Sequence, residues 1–381
     1  MSTAPATDSQ QRLPQLDALR GIAALYVVIY HVMAMPDPDL SVPAWALPIV
    51  GMGGSGVVLF FVMSAFSLCL TWPRHVASGL PLGSFYLSRL ARIAPLMLAL
   101  LSVMVFKDQF RAVPLRGYDE VAWNYSLLFG LSPQWQQGIV MGSWTIGVEM
   151  LFYAIFPLIA LYVRGLWAQL ALLVLSYLLA LWAKTGLPAG WAHFGGHVGL
   201  LRQLPVFALG CVLFELWRRL RELPQRRKHI VGVSLLLLGV LAQGLLFYGR
   251  LPAIPGIADG WYLSALFYGL MLLGLLLASN RVLVNRVTCF LGTISYSLYL
   301  VHPFVVSRSY GVFAKFYAAL PEGIAYFACL GMSLALVVPA SWLTYRFIEK
   351  PGIRLGHRAF AWLRVRRAPI ADERGANGLA S

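Results

Sequence analysis

The sequence has little of what keeps a globular protein in water. Only 12% of its 381 residues are Asp, Glu, Lys or Arg, and just 15 are acidic. A soluble domain usually carries about twice that charged fraction, so a water-soluble globule is excluded. Cysteine is scarce as well. Cys69, Cys211, Cys289 and Cys329 each fall inside an apolar run, with no CxxC or Cys/His spacing, which argues against a zinc site or a disulfide framework. There is no Gly-x-Ser-x-Gly nucleophile turn and no Walker loop, so an esterase or an ATP-driven pump would lack its usual machinery. His193 and His197 have an i, i+4 spacing, but Gly195 and Gly196 intervene and no Glu follows His193. No metal and no permanently bound cofactor is expected. The first ten residues, MSTAPATDSQ, contain no basic residue, and no clear cleavage site follows the first apolar run, so that run reads as a retained helix.

What is present is apolar length. Hydrophobic residues make up 59% of the chain and the mean hydropathy is +0.71. Runs of membrane-crossing length fall at 16–35, 50–71, 85–106, 143–163, 166–183, 197–217, 229–248, 261–279, 289–311 and 323–347, spaced as ten helices. The reading is an all-α polytopic membrane protein whose first partner is the lipid bilayer. Val121 to Leu131 is too short to span and reads as interfacial or re-entrant. With the N-terminus inside, 22 of the 30 Lys and Arg residues lie on the cytoplasmic side and seven on the other, with Arg202 inside a span. The positive-inside rule therefore places both termini in the cytoplasm. The net charge of +15 follows from this topology signal, and no nucleic-acid partner is expected. The chain divides into a short cytoplasmic segment, 1–15, a transmembrane domain, 16–351, and a basic, partly disordered cytoplasmic tail, 352–381. Nothing in the sequence specifies an oligomeric state.

Ionisable groups within a bilayer are costly and face a cavity or the bundle interior, so those inside the apolar runs are the candidate site. In LDALRGIAALYVVIYH, Asp17, Arg20 and His31 project along one seam of a single helix. Arg20 and His31 lie about 16 Å apart in depth. Gly51, Gly53, Gly54 and Gly56 precede the second run and suit either close helix packing or a backbone-lined cavity. Arg89 and Arg92 share a face at i, i+3; they serve as topology anchors or as a bidentate anion site. Thr145, Glu149 and Tyr153 recur every four residues. Glu149 would then orient His31 or make a structural interhelix hydrogen bond. Ser295, Tyr299 and His302 form one polar stripe, with His302 a second base or a buried hydrogen-bonding residue. Arg346 and Glu349 at i, i+3 are expected to pair at a cytoplasmic helix end.

Six blocks carry a resemblance to a known family: LDALRGIAALYVVIYH, GSGVVLFFVMSAF, FYLSRLARIAP, SWTIGVEMLFYAIFP, LGTISYSLYLVHPF and SWLTYRFIEKP. In that order, from about residue 13 to 351, they resemble the acyltransferase 3 family of bacterial integral-membrane O-acyltransferases. The resemblance implies about ten transmembrane helices in the bacterial cytoplasmic membrane. It also implies acyl-CoA, most simply acetyl-CoA, as co-substrate and a hydroxyl of a carbohydrate-type acceptor. By position, His31 resembles the catalytic histidine, Arg20 its paired basic residue, and Arg89 and Arg92 the arginine pair that meets the donor. Glu149 joins the catalytic set, and Asp17, Ser64, Trp144, Ser295, Tyr296, Tyr299, His302, Arg346 and Glu349 a supporting polar network. One departure is Ser64-Ala65-Phe66, where the family commonly has Ser-Gly-Phe or Ser-Gly-Tyr; the added methyl is expected to narrow a helix contact or the tunnel. A transporter or flippase of a glycan or small solute is the competing class, with the same polar residues as its pathway.

Overall fold

The structure, a computed structural model, describes residues 13–110, 115–251 and 259–367, so the polar ends 1–12 and 368–381 lie outside it. The first half of the bundle runs α1 (Pro14–Ala34), α2 (Leu47–Gly51), α3 (Gly56–Ala77), α4 (Pro81–Asp108), α5 (Tyr118–Tyr125), α6 (Trp144–Tyr162) and α7 (Leu166–Ala183). The second half comprises α8 (Leu200–Leu220), α9 (Gln225–Phe247), α10 (Gly260–Leu277), α11 (Arg286–Thr293), α12 (Ser295–Arg308), α13 (Tyr310–Ala319), α14 (Glu322–Thr344) and α15 (Lys350–Arg367). No strand occurs among the described residues.

Helix starts follow local chemistry. Proline occupies the first turn of α1 and α4, where its missing N–H is not needed. Asp259 accepts from Trp261 N to cap α10, and Asn285 closes a capping box with Thr288 at α11, satisfying amides that the bilayer would leave bare. Nine described helical stretches are long and apolar enough to cross a membrane. A tenth arises if α11 and α12, which meet at 75°, form one broken span. The run at 289–311 is thus not one straight helix: the chain leaves helical geometry at Ile294, φ −99° and ψ 8°. Gly292 sits so close to α1 that a Cβ there would overlap Asp17 O, and Gly21 faces Thr288 O in the same way. Backbone meets backbone, and the bend then sends α12 into the interior.

Burial separates core from periphery. Two-thirds of the α3 stretch is buried, against 17% for α9 and 22% for each of α4 and α7. The second span is therefore the central post, with α1, α6, α8 and α10 packed around it. Val121 to Leu131 forms α5, a turn with Leu127 at φ 60°, and one 3-10 turn at Phe129–Leu131, too short to cross. The last span continues through a π-helical turn, Tyr345–Glu349, directly into α15. Residues 352–367 of the tail are therefore helical, and the part expected to be disordered, Ala368 to Ser381, lies outside the described residues.

Candidate functional site

Two cavities meet inside the bundle. The first, about 100 Å³, is lined by Arg20 of α1, Ser64 and Ser67 of α3, Arg89 and Arg92 of α4, Glu149 and Tyr153 of α6, and Ser295 and Tyr296 of α12, among others. The second, about 330 Å³, contains Tyr30 and His31 of α1, Trp144 of α6, His197, and Trp261 of α10. Val57 and Tyr299 line both. Along α1 the chain passes from the arginine cavity at Arg20 to the histidine cavity at His31. Along α12 it passes the same way, from Ser295 through Tyr299 to His302; along α6 the order reverses, Trp144 first and Tyr153 last. The i, i+4 reading of Thr145, Glu149 and Tyr153 agrees with this: all three line the arginine cavity.

In the arginine cavity, Arg20 Nη2 donates to Ser67 Oγ at 2.6 Å, and Ser67 in turn donates to Met63 O. Asp17 lies 3.5 Å from the same guanidinium. Arg89 and Arg92 are half-buried, and among the described residues neither has a carboxylate within 4 Å. Glu149 lines the same cavity, outside ion-pair distance of either guanidinium. Three guanidiniums thus line one cavity, with Asp17 beside Arg20 and Glu149 in the same lining.

Of the two roles the sequence leaves open for Glu149, the structure shows the interhelix hydrogen bond and no contact with His31. Glu149 Oε1 accepts from Ser64 Oγ at 2.6 Å, inside the arginine cavity. His31 is held by other groups: its Nδ1 lies 3.0 Å from Val27 O and 3.0 Å from His302 Nε2. His302, almost fully buried, places its own Nδ1 3.1 Å from Leu298 O. A carbonyl oxygen only accepts, so both Nδ1 atoms carry hydrogen. His302 Nε2 is then an acceptor for His31 Nδ1–H, which leaves the lone pair of His31 on Nε2. In that arrangement the free lone pair of His31 is on Nε2, the atom that the contacts with Val27 and His302 leave unused.

Other expectations also shift. Glu349 is 2% exposed and accepts from Ser297 Oγ at 2.9 Å, whereas Arg346 points outward and is exposed. The π turn between them rotates the carboxylate inward, so the expected cytoplasmic ion pair does not form. The added methyl of Ala65 leaves the cavity unchanged: it is fully buried against Gly210 of α8, where a Cβ would meet Ala65 Cβ at 2.8 Å. Ser64, its neighbour, keeps its place in the cavity. The glycine run divides in two. Gly53 and Gly56 press against α1 at Tyr26 O and Ala23 O, while Gly51 and Gly54 line the histidine cavity. His193 and His197 part company, His193 reaching Leu131 O at 3.2 Å and His197 lying between Trp144 and Trp261.

Several contributors lie outside the sequence reading. Ser67 holds Arg20. Gln203 accepts from Trp261 Nε1 at 2.8 Å and donates to His197 O at 2.6 Å, so one amide positions two members of the histidine cavity. A polar residue inside an apolar run was the available signal for both.

Fold and site together define a multi-pass membrane protein with a cationic cavity and an imidazole-bearing cavity set end to end through its bundle. Comparison of the sequence with known proteins is more specific: the chain belongs to the acyltransferase 3 family, whose acyltransferase domain matches residues 13–345. O-acetyltransferase OatA of Staphylococcus aureus strain MRSA252 is 25% identical over 390 residues, covering 95% of this chain and 61% of the relative. OatA of strain NCTC 8325 / PS 47 gives the same figures. The chain thus spans about three-fifths of the length of these relatives. No solved structure matches it.

Proposed function

We propose that this protein moves an acyl group, most simply acetyl, from acyl-CoA to a hydroxyl of a carbohydrate-type acceptor across the bacterial cytoplasmic membrane. The observation that carries the reading is the junction itself. A cavity lined by Arg20, Arg89 and Arg92 abuts, at Val57 and Tyr299, a cavity holding His31, whose Nδ1 lies 3.0 Å from Val27 O and from His302 Nε2. The phosphates of CoA suit the guanidiniums, and the thioester points toward the junction. An acceptor hydroxyl enters the histidine cavity, where Trp144 and Trp261 offer flat apolar faces to a sugar ring and His197 a polar edge.

The chemistry follows from the tautomer. His31 Nε2 takes the hydroxyl proton as the oxygen bonds to the thioester carbonyl carbon. The carbon–sulfur bond then breaks and the CoA thiolate leaves. His302 accepts from His31 Nδ1–H throughout, favouring the imidazolium that forms. An acyl-histidine intermediate uses the same nitrogen as nucleophile. The names of the OatA relatives and the family match support acetyl transfer, and three guanidiniums on one cavity support a polyanionic donor.

The test uses purified protein in lipid nanodiscs with radiolabelled acetyl-CoA and glycan or glycoside acceptors. His31→Ala is expected to lower transfer by about 10²- to 10⁴-fold, the usual weight of a general base, with unfolding temperature unchanged. Arg89→Ala with Arg92→Ala is expected to weaken CoA binding, measured by calorimetry. Full activity in the histidine variant sinks the catalytic assignment, and unchanged CoA affinity returns the arginines to topology anchors.

A further inference from the structure

The proton acceptor and the donor site lie in different cavities, so acyl transfer has to occur at the wall between them. That wall is specific. Among the described residues, Val57 and Tyr299 alone are common to both linings. The Tyr299 ring lies edge-on to Phe60, 6.0 Å between centroids, and 5.9 Å from the ring of His302. Its hydroxyl is fastened outside its own helix. It donates to Gly142 O at 3.0 Å, and Thr145 Oγ1 lies 3.2 Å away. Gly142 is at φ +80°, and a Cβ there would meet the Tyr299 hydroxyl at 3.3 Å. The turn entering α6 is thus shaped around this tyrosine.

Resting on the donor reading above, we infer that Tyr299, with Val57 beside it, is the partition that sets acyl-chain length and keeps the thioester apart from water in the histidine cavity. A two-carbon acyl group ends short of the ring. Each further methylene would have to enter space that the ring and Val57 fill. While the hydroxyl is fastened to Gly142 O, water near His31 is separated from the thioester. An acceptor hydroxyl in the histidine cavity reaches the carbonyl carbon only when the Tyr299 side chain leaves that contact. Were water to reach it, His31 Nε2 would take a proton from water, the hydroxide oxygen would bond to the carbonyl carbon, and the carbon–sulfur bond would break. Free carboxylic acid and CoA thiol would result, with no acceptor modified.

The experiment measures calorimetric affinity for CoA, acetyl-CoA and hexanoyl-CoA, and thiol release from acetyl-CoA without acceptor. Protein in nanodiscs would be wild type, Tyr299→Phe, Tyr299→Ala and Val57→Ala. Wild type is expected to bind hexanoyl-CoA about tenfold or more below acetyl-CoA, as a filled apolar pocket discriminates by methylenes. Tyr299→Ala is expected to bring the two within about threefold, and Val57→Ala to shift the ratio in the same direction. Tyr299→Phe keeps the ring but loses the hydroxyl contacts; it should retain the chain-length ratio while raising acceptor-independent thiol release. An acetyl-to-hexanoyl ratio unchanged in both alanine variants overturns the partition while leaving the donor site intact. Should Tyr299→Ala fail to fold, the Val57→Ala ratio decides the same question. Failure of wild type to bind CoA at all is a different result; it overturns the donor reading and the partition with it.

Discussion

At the scale of single residues, the decisive feature is the pairing of His31 with His302. The two are 271 positions apart, and their nitrogens meet at 3.0 Å. His302 lines neither cavity; its Nε2 lies beside His31 Nδ1, alongside Val27 O, so under the proposed reaction it would act as a positioning residue. Removing it should lower turnover without abolishing it, since the carbonyl still holds the tautomer. His302→Ala is expected to reduce acetyl transfer by about ten- to a hundredfold, within the range of acid–base positioning. His302→Gln, whose amide oxygen accepts from the same N–H, should recover much of that loss. Equal losses in both variants, followed by acetyl transfer rates at matched protein stability, would point to packing rather than hydrogen bonding. The sequence placed His302 on a polar stripe of its helix but left its role open between base and buried residue. No periodicity within one helix reports which other helix that stripe will face. For the same reason the sequence leaves Glu149 open between orienting His31 and an interhelix hydrogen bond, and only the structure shows that its partner is Ser64.

At the scale of elements, the contact between α1 and α11 sets where Asp17 and Arg20 stand. Gly21 and Gly292 let the two backbones touch, and a Cβ at Gly292 would overlap Asp17 O. Gly292→Ala should therefore separate the helices and destabilise the protein by roughly 1–3 kcal/mol, the usual cost of overpacking. Gly331 of α14 provides the comparison, because nothing lies within 4 Å of its added Cβ. Gly331→Ala should be neutral or stabilising by up to about 1 kcal/mol through helix propensity alone. Thermal unfolding in detergent distinguishes the pair, and similar shifts in both would remove the close-contact explanation. Spans were legible from hydropathy because the bilayer demands long apolar helices with satisfied backbones. The bend at Ile294 and the π turn at Tyr345–Glu349 were not, since both sit in apolar sequence whose average hydropathy is unaffected by a local change of hydrogen-bond register.

At the scale of the whole molecule, the order of cavities gives the protein a direction. Arg20, Arg89 and Arg92 occupy the end at which α1 begins, and His31 lies toward its other end. If the positive-inside bias of the sequence holds, the arginine cavity opens toward the cytoplasm and the histidine cavity toward the outside. Cysteine labelling tests this in a background with the four native cysteines replaced by serine. Ala77→Cys, exposed at the end of α3, should react with a membrane-impermeant maleimide only after permeabilisation. Gln134→Cys, exposed before α6, should react in intact cells. The reverse pattern would invert the orientation and place the arginine cavity on the wrong side for a cytosolic donor.

The sequence by itself determined the solvent, the helices and the chemical inventory. Apolar length and the scarcity of charge are summed properties of a chain, so no folding is needed to read them. The six ordered blocks likewise named the family without reference to space. Only the tertiary structure decided which polar groups share a cavity. Arg20 and His31, on one seam of one helix, open into different chambers. His302, Tyr299 and Trp261 join them from segments more than 200 residues away. Helix rotation and crossing are settled by contacts between distant segments, glycine against backbone and Ala65 against Gly210, and such contacts leave no period in the sequence of either partner.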